Sequence, residues 1–445
     1  MSRITPSGKE VLAELGLDLA SVKSVKPKWR CCQYLAIINW LTKYEPNSDA
    51  SNVEKVQGLL EAFFHLCEIE DWENAWKIIC VSLNTPTNEE LDEQLITWGY
   101  YHYPIEISGK ILGKLSTEVD SNCFNTLGVA YEFLGEYDTS LKFYRQRLLL
   151  ARETNCINGE LKALSGIGSV YYKIGEYQSA LSFFQNAFII AKEIDNISDM
   201  GMVLTNLGCV YTALGEYQKA IGYYKQRLTL ARKTDDRVGE GIALGGIASI
   251  HCDLREYSKA IYYSKKQLKI GQQVNNISSQ ASALGTLGIA YRELKEYALA
   301  IDSIHTRIEI AKEIGNRKGE AKGFGHLGNI YNQLGDYQES ISCYKQELMI
   351  AQNIGLKFEQ GQALGNLGVL FTEIEQYSEA LEFLEYGLNI FREIEHHRSE
   401  SIILYNLSKL YYFIHNRKLA TKNINKAIAI AQKLKIISLV NTFKN

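Results

Sequence analysis

Leu207-Gly208-Cys209-Val210-Tyr211-Thr212-Ala213-Leu214-Gly215-Glu216-Tyr217-Gln218-Lys219-Ala220-Ile221 is the stretch whose reading decides the fold. Up to Leu214 its apolar and small residues fall at three- and four-residue steps, the period of a helix buried along one face. Gly215 supplies a residue that readily takes the left-handed conformation that ends helices. A second apolar stripe, Tyr217, Ala220, Ile221, Tyr224, Leu228 and Ala231, then opens another helix. The segment reads as two helices, A and B, joined by a tight turn.

The pattern recurs every forty residues. Rows laid out from Ser121 align eight times without a gap, from 121–160 to 401–440. Column 7 holds Leu127, Ile167, Leu207, Ile247, Leu287, Leu327, Leu367 and Leu407, and column 8 holds Gly128, Gly168, Gly208, Ala248, Gly288, Gly328, Gly368 and Ser408. Column 11 is Tyr131, Tyr171, Tyr211, His251, Tyr291, Tyr331, Phe371 and Tyr411. Columns 4, 7, 8 and 11 thus form one packing stripe, with a small residue where helices approach closely. The turn repeats as Leu134-Gly135-Glu136-Tyr137, Ile174-Gly175-Glu176-Tyr177 and Leu334-Gly335-Asp336-Tyr337. All five prolines precede residue 105, so no array helix is interrupted. Each row has room for two helices of roughly sixteen residues and two short turns. One pair cannot bury both stripes; stacked copies bury them against their neighbours. The expected fold is therefore all-α, a solenoid of tandem antiparallel helix pairs with a concave and a convex face.

Leu-Gly at columns 7 and 8, Tyr at 11, Ala at 20 (Ala180, Ala220, Ala260, Ala300, Ala380, Ala420) and an aromatic at 24 (Tyr144, Phe184, Tyr224, Tyr344) resemble the tetratricopeptide repeat family. The resemblance spans 121–440 and implies a right-handed superhelix. The forty-residue period exceeds that family's usual thirty-four or so, and the proline often found at column 32 is absent, which implies that helix B continues. In this the chain resembles the long-repeat branch of kinesin light chains and LGN-type polarity scaffolds.

All five tryptophans, Trp29, Trp40, Trp72, Trp76 and Trp98, precede the array, marking a change of composition near residue 116. Leu59, Phe63, Leu66, Trp72, Ala75 and Ile79 fit columns 4, 8, 11, 17, 20 and 24, so 51–84 reads as a degenerate repeat. Segments 30–44 and 88–115 also carry helical spacing, with breaks at Pro46-Asn47-Ser48 and Thr85-Pro86-Thr87-Asn88. The expected division is a lead-in over 1–29, a helical cap over 30–116, eight repeats over 121–440 and a tail over 441–445. A cap covers the apolar end a solenoid otherwise leaves in water, and its tryptophans read as core.

Composition excludes several functions. No apolar run approaches the roughly 18 residues of a membrane helix, and Met1–Ala20 mixes Arg3, Lys9 and Glu10 into its apolar residues, unlike a secretory signal. The expected location is the cytoplasm. The nine cysteines form no C-x-x-C pair and read as reduced thiols. A net charge of -3 and no Lys/Arg block in the array argue against nucleic acid, with Lys23, Lys26, Lys28 and Arg30 read as a solvated lead-in.

Gly323-Phe324-Gly325-His326-Leu327-Gly328 spells the dinucleotide fingerprint, but it falls inside helix A, where small residues at columns 3, 5 and 8 serve packing. His396-His397, beside Glu395 and Glu400, reads as a pair of exposed turn histidines rather than a metal site. Cys209 and Cys252 read as buried inert thiols rather than a redox pair. No Walker, H-E-x-x-H, G-x-S-x-G or calcium-loop spacing occurs. The expectation is a non-enzymatic protein without cofactor or metal; an enzyme site in the N-terminal third is the outlying alternative.

Columns 2, 5, 6, 9, 12 and 13 of helix A lie off the packing stripe and point into the concavity. They carry Asn206, Asn329, Asn332, Asn366 and Asn406, whose amides suit an extended backbone, together with Tyr172, Lys173, Arg292 and Gln333. Column 27 of helix B carries Arg147, Arg227 and Arg307 in alternate repeats, a row suited to carboxylates. Pairing of these arginines with the chain's own glutamates is the open alternative. The resemblance to LGN-type scaffolds implies helix-A asparagines and helix-B arginines that grip an acidic peptide. The expected function is a scaffold or adaptor holding a protein or peptide in the groove; the alternative is a ligand- or peptide-sensing regulator of a signalling system. On this reading Arg147→Ala, Arg227→Ala and Arg307→Ala together weaken partner capture while circular dichroism and melting stay nearly unchanged.

Overall fold

A computed structural model describes residues 4–47 and 49–444, excepting the side chains of 437, 438 and 444. Ser48 of the expected break, residues 1–3 of the lead-in and residue 445 of the tail lie outside the described residues. Seven helices come first: α1 (Gly8–Glu14), α2 (Leu19–Lys23), α3 (Lys28–Lys43), α4 (Asn52–Glu68), α5 (Trp72–Ile79), α6 (Leu91–Trp98) and α7 (His102–Ile111). Eight pairs follow: α8 (Thr117–Leu134) with α9 (Tyr137–Glu153), α10 (Ile157–Ile174) with α11 (Tyr177–Glu193), α12 (Ile197–Ala213) with α13 (Tyr217–Lys233), and α14 (Arg237–Asp253) with α15 (Tyr257–Gln273). The rest are α16 (Ile277–Glu293) with α17 (Tyr297–Glu313), α18 (Arg317–Leu334) with α19 (Tyr337–Asn353), α20 (Lys357–Glu373) with α21 (Tyr377–Glu393), and α22 (His397–Phe413) with α23 (Arg417–Lys433). Helix α24 (Ile437–Lys444) ends the chain, and the whole is an all-α solenoid of tandem antiparallel pairs.

Both helices of a repeat have nearly the same length, so a left-handed residue closes a helix every twenty positions from Gly135 to Lys435. After it a backbone N–H donates back to the carbonyl five residues earlier, as from Glu216 to Tyr211 and from Asn196 to Ala191, each at 2.9 Å. Glycine takes the position in the turns legible from sequence, but Arg255, Lys295, Glu375 and His415 take it too, with φ near 60°. The opposite turn is fixed by caps: the side chains of Asn196, Asp236 and Asn276 accept the N–H three residues on. His396 does the same from Ser399 at 3.2 Å. Its ring is buried against Phe358, so the expected exposed turn histidine is instead a packed cap.

The column-8 glycines are spaces for helix B. A Cβ on Gly168 would lie 2.8 Å from the Phe184 ring, one on Gly208 2.8 Å from the Tyr224 ring, and one on Gly328 2.5 Å from the Tyr344 ring. Where serine replaces the small residue its hydroxyl spans the gap: Ser340 donates to the Gly328 carbonyl and Ser408 to that of Ala420, each at 2.9 Å. Gly325 and Gly328 of the fingerprint-like run press on Glu347 and Tyr344, so they serve packing.

The chain divides into two compact units, 1–131 with 314–316, and 132–313 with 317–445. In the first unit the expected solvated lead-in is helical, and Val11, Leu15 and Val22 are buried with Ile37, Leu60 and Phe63. The α4–α5 pair occupies the segment read as a degenerate repeat. Trp98 is buried, Trp72 and Trp76 pack partly against the core, and Trp29 is 55% exposed.

In the second unit the last repeats meet the first. Leu434 and Ile436 share one buried cluster with Leu164, Tyr177, Phe184 and Leu214. A Cβ on Gly135 would lie 3.1 Å from Ile394, and one on Gly355 3.3 Å from Leu134. Helix α24 begins forty residues after α22, in register as a further helix A, and Phe443 is buried on the Tyr405 ring 4.9 Å away. Residues 441–444 of the expected tail are therefore helix. Gly208→Leu should lower stability by roughly 1 to 3 kcal/mol in chemical denaturation, because the Tyr224 ring must leave its slot.

Candidate functional site: the inner face of the array

The off-stripe columns line a concave surface where repeats seven and eight adjoin. A cleft of about 600 Å³ is bounded there by Val369, Thr372 and Glu373 of α20 and by Tyr405, Asn406, Lys409, Tyr412 and Phe413 of α22. These occupy columns 9, 12 and 13 of one helix and 5, 6, 9, 12 and 13 of the next. Tyr412 is 65% exposed and Phe413 52%, so the cleft presents aromatic surface to solvent.

Because the array returns on itself, charges from distant repeats converge. Glu132 of α8 accepts from the Ser169 hydroxyl at 3.0 Å. The Lys318 ammonium of α18 lies 4.7 Å over the Phe133 ring and 3.2 Å from Glu359 Oε1 of α20. Lys322 lies 3.9 Å from the same oxygen. Burial raises the Glu132 carboxyl above its ordinary range against the pull of Lys173 and Lys318. Burial, then Lys318, brings the Lys322 ammonium down to about 8. Lys322 nevertheless keeps 43% of its side-chain surface in contact with water. Concavity accounts for both facts, since water reaches the group from one side while protein surrounds it on the others. His326, one turn beyond Lys322, is driven down to about 3 by burial and by Arg307, Arg292 and Lys322, so it stands neutral among cations. Arg292 is paired with Glu293 at 2.5 Å, and Gln333 donates to that carboxylate at 3.4 Å.

The arginine row divides. Arg147 and Arg227 are only 5% and 7% exposed. Arg227 is inserted between repeats, 2.5 Å from Asp236 Oδ2, and a Cβ on Gly201 would lie 2.6 Å from its guanidinium. The expectation that all three arginines line an open groove is thus corrected for these two. Alanine at Arg227 removes the ion pair with Asp236 and empties a buried slot between repeats, so the triple variant should melt lower than wild type instead of nearly unchanged. Arg307 differs: its guanidinium is half-buried against Gly285, burial lowers it to about 10, and it makes no hydrogen bond or ion pair among the described residues.

The helix-A amides divide likewise. Asn329 is spent internally, donating to the Gly325 carbonyl and accepting from the Tyr344 hydroxyl, each at 2.9 Å. Asn332 donates to Glu373 at 2.9 Å. Asn206, Asn366 and Asn406, all in column 6, are half-buried and make no side-chain hydrogen bond among the described residues. Tyr172, 5.8 Å from the Tyr177 ring, and Lys173 sit half-buried at columns 12 and 13. Sequence reasoning missed Glu132, Lys318, Lys322, His326, Glu347 and Glu359. Lys322, His326 and Glu132 stood in columns already counted as concave; Lys318 and Glu359 fall in the first turn of helix A, which starts four residues before each row. Another signal was the run of column-5 glycines, Gly245, Gly285 and Gly325, each lying against the polar column-27 side chain of Gln267, Arg307 or Glu347.

Other candidates resolve structurally. Cys209 contacts the Tyr224 hydroxyl at 3.2 Å and Cys252 the Thr286 carbonyl at 4.0 Å, so they do not pair, and burial pushes the Cys252 thiol up to about 12. Among the described residues no three His, Cys, Asp or Glu side chains gather as a metal would require, and no helix is long and apolar enough to cross a membrane.

This architecture defines a tandem helix-pair repeat protein with a charged inner face. Tetratricopeptide repeat family models match residues 159–233 and 320–393, and another matches 125–156. These segments of the chain are tetratricopeptide repeats. A model of anaphase-promoting complex subunit 5 matches 369–443. No curated protein matches the sequence. Among solved structures, a Rap protein complexed with competence and sporulation factor is similar over 87% of this chain and 99% of its own, at 15% identity and a TM-score of 0.54. Aspartyl phosphate phosphatase F from Bacillus subtilis is similar over 78% and 94%, at 12% identity and 0.50. Repeats of a putative kinesin light chain from Podosopora anserina cover 43% of this chain and 94% of theirs, at 17% and 0.35. Likeness at these identities concerns the fold.

Glu347, 3% exposed with Oε2 unpartnered, is pushed from 4.5 up to about 8 by burial and then by Glu359, with Lys322 opposing. The folded protein therefore holds a proton that the unfolded chain releases above about 4.5. Its contribution to stability is fully present below that pH and is lost as pH rises through about 8. Lys322, lowered from 10.5 to about 8, acts above this window. Thermal melting of Glu347→Gln should consequently fall less than that of wild type between pH 5 and 8.5.

Proposed function

We propose that the inner face of the array binds an extended or helical segment of a protein or peptide, and that an acidic group of this segment sits at Arg307. The observation that carries the reading is Arg307 itself. A guanidinium drawn into a concave site without a carboxylate loses hydration that nothing in the described chain replaces, and an incoming carboxylate replaces it with a bidentate pair. Lys322 adds a second cation nearby, and neutral His326 adds a donor and an acceptor. The free amides of Asn206, Asn366 and Asn406 recur at one column, and each is able to donate to and accept from a ligand's backbone. The function is then non-enzymatic, a cytoplasmic scaffold or adaptor that needs no cofactor.

A second reading, a regulator that senses its ligand, is supported by the contact between the first and last repeats. A ligand touching residues on both sides of that contact binds its closed and open forms unequally and so shifts their populations. The Rap protein complexed with competence and sporulation factor supports this by fold analogy alone.

The test is affinity capture from host lysate on wild-type protein, Arg307→Gln and Asn206→Ala/Asn366→Ala, with mass spectrometry of what is retained. A partner enriched on wild type, lost on Arg307→Gln and released by raised salt is the expected result. Equal capture by all three proteins would remove the inner face from the binding reaction.

A further inference from the structure

A recess of about 600 Å³ lies in the first unit among α1, α3 and α4. Its apolar walls include Val11, Trp40, Leu41, Tyr44 and Leu59, with Thr5 and Asn47 also at its edge. The two rings stand 5.3 Å apart at 51°, and Tyr44 is held in place by donating its hydroxyl to the Glu54 carbonyl at 2.9 Å. Gly58 brings α4 against α3 so closely that a Cβ there would lie 2.8 Å from the Trp40 carbonyl oxygen. Protein interiors seldom leave voids larger than a water, whereas recesses of about 300 to 1,000 Å³ with apolar walls and a few polar groups are typical of small-molecule sites.

The polar groups give the ligand its class. Lys55 is half-buried and makes no ion pair or side-chain hydrogen bond among the described residues; Glu45, exposed on the rim, makes none either. Among the described residues the Trp40 indole N–H likewise has no acceptor. One unpaired cation and one unpaired anion beside an apolar slot complement a molecule that carries both charges on an apolar body. We infer that the recess takes an apolar zwitterion of dipeptide size, its carboxylate at Lys55, its ammonium at Glu45 and its side chains against Trp40 and Tyr44. This site is independent of the inner face of the array.

Titration of the full-length protein with phenylalanyl-leucine, followed by calorimetry and tryptophan fluorescence, tests the assignment. Saturable one-to-one binding is expected, with the N-acetyl and the C-terminal amide analogues each about tenfold weaker. Lys55→Gln should abolish the discrimination between free carboxylate and amide, and Glu45→Gln that between free amine and acetyl. Circular dichroism of both variants confirms that they are folded. Absence of saturable binding overturns the proposal. So does equal affinity for the capped peptides, which would leave an apolar recess that does not recognise charge.

Discussion

The fold depends on aromatic and branched side chains of helix B occupying the volume that glycine leaves vacant on helix A. Tyr224 shows the constraint fully. Its ring fills the space beside Gly208 in its own repeat and abuts Gly246 in the next, so one side chain fixes both the pairing within a repeat and the stacking between repeats. Phe184 and Tyr344 meet the column-8 glycines of their own repeats in the same way. Close packing of this kind tolerates little change of volume, which is why Ile304 and Leu384 are the only other shapes described opposite these glycines.

That rigidity gives the inner face its chemistry. Helices held at fixed spacing cannot collapse around Arg307, Lys322 or His326, so these groups stay where protein surrounds them and water reaches them from one side. Cations and carboxylates pair where the backbone allows it, as Lys318 and Arg227 do with Glu359 and Asp236. Arg307 is left over. The column-5 glycine opposite it makes room for the guanidinium without supplying a partner.

The array was legible in the sequence because its packing is periodic and local. The eight helix pairs, the column-8 spaces and the packing role of Gly323–Gly328 all follow from residues that meet within one repeat or with the next. Three kinds of feature were not legible. The left-handed turns at Arg255, Lys295, Glu375 and His415 lack the glycine that announces such a conformation, although the same backbone hydrogen bond closes them, as from Glu256 to His251 at 2.8 Å. Column position alone does not tell a paired arginine from an unpaired one: Arg227 and Arg307 share a column, but only Arg227 has an aspartate at the following helix start. Nor does a periodic pattern encode which distant repeats touch, so the company Glu132 keeps with Lys318 had no signal in either row.

The contact between the ends of the second unit bears on how such a protein can vary. Linear repeat arrays ordinarily gain or lose a unit at small cost, because each unit knows only its neighbours. Here Leu434 and Ile436 are buried with residues some six repeats earlier, and Gly135 abuts Ile394. Inserting or deleting one forty-residue unit would carry these surfaces past one another and expose both. The number of repeats is thereby tied to the closure of the coil, and duplication, the usual source of diversity in such proteins, is restrained by a handful of apolar side chains.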